Sequence, residues 1–471
     1  MSIKAPHLTV LSIDGLSYDL FQKLMADGDM PTMSSFCKTH GIPRKMRSTY
    51  PPVSCVAWTS YATGLNPGKH GIFGFVDRKP GTYDTVFPNG GFVRGQTIWG
   101  ILSDSGKKVF AMNIPCTFPP RKINGIMIGG FLASSFDRLS YPSAIGNYLK
   151  KQGYRIDINP FLGHSSKEEL VSELELVLEK RIEALLYFLE YEHWDFFHAH
   201  IMCTDRINHF LLQHYYDGDS KLAFMFRKFY RKLDNLLGQL LDILGKEASI
   251  LVLSDHGFTP IKQEVQLGRF LADTGWLVPR REQDPFAFDP LHTKAFCLTP
   301  GRIYINLKGR ESQGCVLESE YKHVRKNLSK ILLDLRDDDG NRIIKTIQTK
   351  ESIYWPNGHS RPDTANIFNE SFPFSMAPDL VAIPFDGYDL KNGINADNLF
   401  TKSALEGMHT YENAICMSQN LTLPTGDLKI RLMADAILRK MNVCIPPEMD
   451  MPQKKFEICS TPQEKFINEP T

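Results

Sequence analysis

The chain has 471 residues, 42% of them hydrophobic, with 54 basic and 53 acidic residues and a formal net charge of +1. This length favours one large α/β domain with an inserted lobe, or two domains. The near-neutral charge argues against a dedicated nucleic-acid surface, which would need an excess of basic residues. The near-neutral charge is compatible with a small anionic substrate, because bound metal ions can supply local positive charge.

Targeting features are weak in this sequence. The amino-terminal segment lacks the long apolar stretch and small-residue cleavage site of a signal peptide, and no run of about 18 apolar residues predicts a membrane span. The nine cysteines are scattered, without C-x-x-C spacing. We therefore expect a cytoplasmic protein with reduced thiols and no membrane association, and the sequence does not set its oligomeric state.

Strand-like and helix-like segments alternate over residues 1–260. Short apolar segments predict strands at 7–14, 108–114, 125–130, 195–202 and 249–255. Segments with helical spacing predict helices at 18–28, 97–106, 166–192 and 223–245. This repeated order predicts an α/β fold with a mostly parallel central sheet that is covered by helices on both faces.

The pattern is looser in the rest of the chain. A strand at 302–307, a helix at 318–337 and a turn between strands at 337–344 indicate a smaller α/β lobe. Further strands are predicted at 378–383 and 412–419, and a closing helix at 427–443. We therefore assign the larger core to 1–263 and 375–445, an inserted lobe to 264–374 and a carboxy-terminal tail to 446–471.

Three aspartates and three histidines lie at or near predicted strand ends, where open parallel sheets bind ligands. They are Asp14, Asp205, His209, Asp255, His256 and His409. Asp205 and His209 are four residues apart, so they share one face of a helix. Taken alone, an aspartate there is more commonly a helix cap, and His209 alone a core or surface residue. The complete set favours a metal site for zinc, and manganese or iron are acceptable to the same ligands.

A candidate nucleophile precedes the predicted helix at 55–64. Pro51 and Pro52 block a helix before it, which places Ser54 at the helix amino terminus, where backbone N–H groups favour an anion. A hydroxyl there can lose its proton to a metal ion and attack a phosphate. The alternative is that Ser54 is only a helix cap. Cys55 is a second candidate, but nothing nearby in sequence activates it, so a structural thiol is favoured.

Seven segments resemble, in order, the type I phosphodiesterase/nucleotide pyrophosphatase family of the alkaline phosphatase superfamily. They are LSIDG, VSCVAWTSYATGLNPGKHGIFGF, TDRINH, LSDHGF, RIYINLKGRE, APDLVAI and GMHT. They extend from Leu11 to about Cys416, most of the chain, and TGLNPGKHGI and SDHG are the most specific. The resemblance implies an alkaline phosphatase-like version of the predicted α/β fold.

The resemblance also implies a site for two divalent ions, zinc or alternatively manganese, and a covalent phospho-serine intermediate. Ser54 would be both a ligand and the nucleophile. One ion would be bound by Asp205, His209 and His409, and the other by Asp14, Asp255 and His256 together with Ser54. Two such ions would clamp the attacking and leaving oxygens of an in-line displacement.

The implied activity is hydrolysis of phosphodiester or pyrophosphate bonds in a small phosphate-ester or nucleotide-like substrate. A phosphomonoesterase and a phosphomutase on the same two-metal site are the alternatives. A non-catalytic binding protein is disfavoured because every expected ligand is present. A formylglycine sulfatase is disfavoured as well, since CVAWT lacks the Cys-x-Pro-x-Arg-like context.

Three residues bear on how a phosphate would be held. The family carries an asparagine three residues after its nucleophile, where this chain has Ala57, so the contacts of the non-bridging oxygens stay open. We expect Lys69 to be structural. We expect Arg206 to face solvent, because on a helix it points about 100° away from Asp205. Without a fixed cation at the site, diesters should be cleaved better than monoesters.

Overall fold

The computed structural model describes residues 5–41, 43–159, 161–218, 220–280, 288–355 and 373–450. The strands are β1 Leu8–Ile13, β2 Arg44–Arg47, β3 Asp77–Arg78, β4 Thr85–Val86, β5 Val109–Met112, β6 Gly125–Ile128, β7 Ser140–Tyr141, β8 Phe196–Ile201, β9 Ile250–Leu253, β10 Gly257–Pro260, β11 Gln263–Gln266, β12 Ala295–Leu298, β13 Arg302–Ile305, β14 Ile344–Thr349, β15 Leu380–Pro384, β16 Tyr388–Lys391, β17 Phe400–Thr401, β18 Gly407–Thr410, β19 Ala414–Gln419 and β20 Leu428–Lys429. The helices are α1 Tyr18–Ala26, α2 Pro31–His40, α3 Ser54–Thr63, α4 Pro67–His70, α5 Ile98–Asp104, α6 Ser143–Lys151, α7 Leu162–Ser165, α8 Lys167–Tyr191, α9 Cys203–Asp217, α10 Lys221–Leu244, α11 Leu267–Asp273, α12 Glu318–Leu333, α13 Lys350–Ile353 and α14 Met433–Lys440.

A nine-stranded sheet forms the centre of the fold, in the order β20-β2-β19-β9-β1-β8-β5-β6-β7. The strands from β9 to β6 in that order all run parallel to their neighbours. β19 and β2 on one side, and β7 on the other, pair antiparallel. The predicted mostly parallel α/β sheet is therefore confirmed.

Helices cover both faces of this sheet. Every residue of β1 and β8 is buried, which is why both strands are near-continuous apolar runs in the sequence. Phe197 of β8 packs in one core cluster, with α1, α2, α8, α9 and α10. The preceding Phe196 packs in the opposite cluster, with α3, α5 and α14. Successive side chains of a strand point to opposite faces, so the sheet lies between two cores.

Smaller sheets carry the segment between β9 and β19. One is the four-stranded β12-β13-β15-β14, another is β16-β11-β17, and a third is the pair β10-β18. β15 thus pairs with strands of the predicted lobe, although its residues were assigned to the larger core. The domain division stays a prediction, and these pairings favour placing residues 380–401 with the lobe.

Two predicted elements near the carboxy terminus have different bounds in the structure. The closing helix was predicted at 427–443, but α14 begins only at Met433. Leu428 and Lys429 pair with β2 instead, and a short 3₁₀ turn follows them. Most of the predicted tail, residues 451–471, lies outside the described residues.

Two further expectations concern membrane-spanning helices and reduced thiols. None of the helices among the described residues is both long enough and apolar enough to cross a membrane. The eight cysteines of the described residues are all free thiols. The cytoplasmic location stays a prediction.

Candidate metal centre

The predicted ligands meet at the carboxyl edge of the central sheet. β1, β8 and β9 are parallel neighbours, so the residues that follow them lie at the same edge. Five ligands follow these strands or lie on α9, which begins after β8; these are Asp14, Asp205, His209, Asp255 and His256. His409 lies in β18, opposite Phe258 of β10, and reaches the same edge.

Site A consists of Asp205, His209 and His409. The two Nε2 atoms of the histidines are 3.0 Å apart. Oδ1 of Asp205 lies 3.5 Å from Nε2 of His209 and 3.1 Å from Nε2 of His409. Ligand atoms at about 2.0–2.1 Å from a tetrahedral zinc ion are about 3.3 Å from one another. The three atoms therefore have the spacing of one face of such a coordination shell.

Site B consists of Asp14, Asp255 and His256, whose side chains are fully buried. Nε2 of His256 lies 3.2 Å from Oδ2 of Asp255 and 3.6 Å from Oδ1 of Asp14. Oγ of Ser54 lies 3.3 Å from both Oδ1 of Asp14 and Nε2 of His256. The spacing again fits a tetrahedral ion, with the hydroxyl of Ser54 beside the three ligand atoms.

Each of the three histidines presents Nε2 to its site because a backbone carbonyl holds Nδ1–H. The carbonyls are Gly407 for His209 at 2.9 Å, Pro52 for His409 at 2.8 Å and Gly257 for His256 at 3.1 Å. Such a bond fixes the ring orientation and leaves the lone pair of Nε2 available, as metal-ligating histidines require.

The charge states also suit a metal centre. Burial lowers the pKa of His209 to about 4 and holds the pKa of His256 well below its ordinary value, so both rings are neutral. Burial, together with the charge of Asp14, raises the pKa of Asp255 well above its ordinary value. Crowded carboxylates beside neutral imidazoles are a donor set that a cation stabilises. The residues present therefore fit divalent ions such as zinc or manganese.

The two sites lie side by side. The rings of His256 and His409 stack with their centroids 3.6 Å apart, at the point where β10 and β18 pair. On the opposite side, Oγ1 of Thr204 donates to the backbone carbonyl of Asp14 at 2.6 Å, which ties α9 to the end of β1. The position of site A relative to site B is thus set by contacts between secondary-structure elements.

The turn after Asp14 requires a glycine. Gly15 has a φ of +67°, and a Cβ there would lie 2.6 Å from the ring of Phe258. The backbone N–H of Gly15 donates to Oδ1 of Asp255 at 3.1 Å, and its carbonyl accepts from Nδ2 of Asn208 at 3.0 Å. The glycine of the LSIDG segment therefore helps to orient a ligand of site B.

Ser54 is the first residue of α3 but does not cap it. Val53 is the N-cap residue, and no side chain caps the helix. The capping interpretation of Ser54 is therefore wrong, and its hydroxyl faces site B. The thiol of Cys55 is fully buried, and its hydrogen bond with Cys116 and its burial hold its pKa well above the ordinary value, which favours a structural role.

Of the three residues considered as phosphate contacts, only Arg206 differs from what was expected. Ala57 is fully buried in a core cluster, and its methyl group has no hydrogen-bond donor for a phosphate oxygen. Lys69 donates to Oδ1 of Asp450 at 2.6 Å, in keeping with a structural role. The expectation that Arg206 faces solvent is wrong. Its side chain is only 19% exposed and lines the cavity, and Nη2 donates to Oδ2 of Asp157 at 2.9 Å.

A large cavity leads to the site. Its volume is about 1560 Å³, and Ser54 and all of site A line it, whereas the three fully buried ligands of site B do not. One wall is aromatic: Phe75 stacks on Phe131 with centroids 5.9 Å apart and meets Phe87 edge-on at 5.2 Å. Residues of β15 and β16 line the cavity as well. The volume exceeds the range of about 300–1,000 Å³ that is usual for small-molecule sites.

The sequence analysis missed four buried residues behind Asp14. Nε1 of Trp58 donates to Oδ2 of Asp14 at 2.8 Å, and Nε2 of His200 lies 3.3 Å from the same oxygen. Oγ of Ser12 lies 2.9 Å from both Nδ1 of His200 and Nε2 of His198. These contacts occupy Oδ2, so Oδ1 faces Ser54. The His-x-His pattern was visible in the sequence, but its target is set by the pairing of β1 with β8.

Replacing Trp58 with phenylalanine is expected to weaken zinc binding at site B by about 10- to 100-fold, because outer hydrogen bonds orient metal ligands. Competition with a chromophoric chelator would measure the affinity. Trp99→Phe is the matched control, since Trp99 is buried in the same core cluster and has no hydrogen bond to Asp14. Equal zinc affinity of the Trp58 variant and the unaltered protein would contradict this role.

Two solved hydrolase structures share the fold of this chain. Phosphonoacetate hydrolase from Sinorhizobium meliloti 1021, in complex with phosphonoformate, is 17% identical with a TM-score of 0.60, covering 94% of this chain and 96% of that one. Murine ectonucleotide pyrophosphatase/phosphodiesterase 5, an inactive form in complex with AMP, is 14% identical with a TM-score of 0.55 and the same coverage.

Residues 8–412 match the type I phosphodiesterase / nucleotide pyrophosphatase family. The chain belongs to this family, and it is therefore a hydrolase acting on phosphate esters. No curated protein matches the chain by sequence. At these identities the solved structures establish the fold and leave the substrate open.

Proposed function

We propose that the protein hydrolyses phosphodiester or pyrophosphate bonds of a small substrate with two divalent metal ions and with Ser54 as the nucleophile. Zinc is the preferred ion. One ion would be held by site A and the other by site B with Ser54. The single observation that carries the proposal is the position of Oγ of Ser54, 3.3 Å from a ligand atom of Asp14 and 3.3 Å from one of His256.

The residues have separable roles in this reaction. Bound metal ions would favour the alkoxide of Ser54 and neutralise charge on the phosphoryl group. Oγ of Ser54 forms a bond to phosphorus while the bond to the leaving oxygen breaks, and that oxygen departs with a proton. Water then attacks the phospho-serine, which releases the phosphate product and restores the hydroxyl. The N–H groups at the start of α3 point to the same place and favour the anion.

A hydrolysis panel on one preparation would test the proposal. It would include aryl and natural monoesters, diesters and pyrophosphates, and metal content would be measured on the same sample. Turnover of diesters or pyrophosphates by protein that contains two metal ions per chain is expected. Release of phosphate from monoesters alone would identify a phosphomonoesterase, transfer to a second alcohol a phosphomutase, and no turnover by fully loaded protein a binding protein.

Among aryl substrates, an alkyl-aryl diester is expected to be cleaved at least about tenfold more efficiently than the matching monoester, a difference of about 1.4 kcal/mol in the barrier. Arg206 lies in the cavity, but Asp157 balances its charge, with Nη2 2.9 Å from Oδ2 of Asp157. The site therefore gains no net positive charge for a dianionic monoester. The two kcat/KM values measure this, and a tenfold preference for the monoester would reverse the order.

A further inference from the structure

Arg206 is held in a defined position at the edge of the metal centre. It follows the site A ligand Asp205 on α9, and Nη2 donates to Oδ2 of Asp157 at 2.9 Å. The guanidinium carbon lies 5.4 Å from the ring centroid of Phe131, over its face. An ion pair on one side and an aromatic ring beneath restrict a side chain that would otherwise sample many rotamers.

The ring under Arg206 belongs to the surroundings of the nucleophile. Phe131 packs in a small buried cluster that includes Val53 and Cys55, the two residues that flank Ser54. Arg206 and Ser54 both line the same cavity. The guanidinium group therefore lies near the position that a phosphoryl group would occupy when Ser54 attacks it.

One end of the guanidinium group has no hydrogen-bond partner among the described residues. Nη1 makes none there, and Oδ2 of Asp205 is 3.6 Å away, beyond hydrogen-bond range. Nε is buried without a partner as well, whereas the side chain as a whole keeps 19% exposure in the cavity. A positioned donor without an acceptor beside a metal centre is a binding element for an anionic oxygen.

Two other arginines of the cavity wall are already engaged. Nη1 of Arg78 is paired with Glu311, and the guanidinium group of Arg302 is fully buried against Asp77 and backbone carbonyls. These two side chains are tied into the wall, whereas Nη1 of Arg206 is available.

We propose that Arg206 is a substrate-binding residue whose Nη1 donates to a non-bridging oxygen of the phosphoryl group. This deepens the proposed function and rests on it for the identity of the substrate. The contact supplies a hydrogen-bond donor that the buried methyl group of Ala57 lacks. Asp157 is then a positioning residue that keeps the guanidinium group in place and limits its net charge.

Binding of inorganic phosphate to the zinc-loaded protein, measured by isothermal titration calorimetry, tests the proposal. Arg206→Gln is expected to weaken binding by about 10- to 100-fold, the usual worth of a hydrogen bond to a charged group. Arg206→Lys keeps the charge without the planar fork and is expected to lose about fivefold. Arg155→Gln is the matched control: Arg155 pairs with Glu173, is 46% exposed and does not line the cavity.

All samples are brought to the same measured zinc content, which excludes an indirect effect through Asp205. Phosphate affinity of Arg206→Gln within about twofold of the unaltered protein overturns the proposal; if that variant does not fold, wild-type affinity of Arg206→Lys overturns it. The measurement does not depend on turnover. If Arg206→Gln loses phosphate binding but the unaltered protein cleaves no diester, only the proposed function is contradicted. If the unaltered protein cleaves diesters but Arg206→Gln binds phosphate normally, only the Arg206 contact is contradicted.

Discussion

Replacing Ser54 with alanine is expected to lower kcat for diester hydrolysis by about 10³-fold or more, because the covalent route closes when the nucleophilic oxygen is removed. The loss of stability should be about 1 kcal/mol or less, since Ser54 caps no helix and, within the described part of the chain, its hydroxyl bonds only with Asp14 and His256. Steady-state kinetics and thermal unfolding on the same zinc-loaded samples would measure both effects.

Cys55→Ala is the control for this substitution. The thiol of Cys55 is buried beside Cys116, so its removal should leave kcat within a few-fold of the unaltered protein. Rapid quenching of the unaltered enzyme with substrate should also place a phosphoryl group on Ser54, detectable by mass spectrometry of peptides. Near-normal turnover of Ser54→Ala together with an inactive Cys55→Ala would show that the nucleophile is misassigned.

Removal of metal by a strong chelator is expected to reduce hydrolysis to the background rate, and added zinc to restore it. Elemental analysis should find two ions per chain, one for each set of ligands. In a His409→Ala variant the count should fall to about one, because site A loses one of three ligands whereas site B keeps all of its own. Hydrolysis should fall by orders of magnitude, since in the proposed reaction each ion would stabilise a different one of the attacking and leaving oxygens.

His292→Ala provides the matched control for the metal count. His292 lies in the turn before β12, has 70% of its side chain exposed and is paired with Asp289. Its removal should change neither zinc content nor rate. Activity that survives the chelator, or active protein without a transition metal, would contradict the two-metal proposal.

The ligand positions could be predicted because they depend on local pattern and sheet topology. Asp14 and Asp255 follow short apolar runs, and parallel neighbours place such residues together without any knowledge of side-chain packing. The pairing of Asp205 with His209 follows from helix geometry alone. His409 was selected by its position near a predicted strand, but its grouping with Asp205 and His209 came from the family resemblance, since no local pattern joins residues that far apart in the chain.

The missed features depend on contacts between distant segments. Arg206 was expected in solvent from its angle on α9, but Asp157, in the segment after α6, lies against it and covers it. No local pattern in the sequence marks the role of Trp58, because only the approach of α3 to β1 brings its indole nitrogen to Asp14. Such contacts are set by tertiary packing, which hydrophobic periodicity does not encode.

The pairing of β10 with β18 has a consequence for how substrate range can change in evolution. Pro260 lies opposite Gly407, and the backbone N–H of Ile261 donates to the carbonyl of Glu406 at 2.8 Å. The segment 261–406 therefore begins and ends at neighbouring points. Bringing the ends of a chain segment together costs only about 0.6 kcal/mol more for each doubling of its length. Insertions, deletions or exchanges within it can reshape one wall of the cavity and leave His256 and His409 where they are.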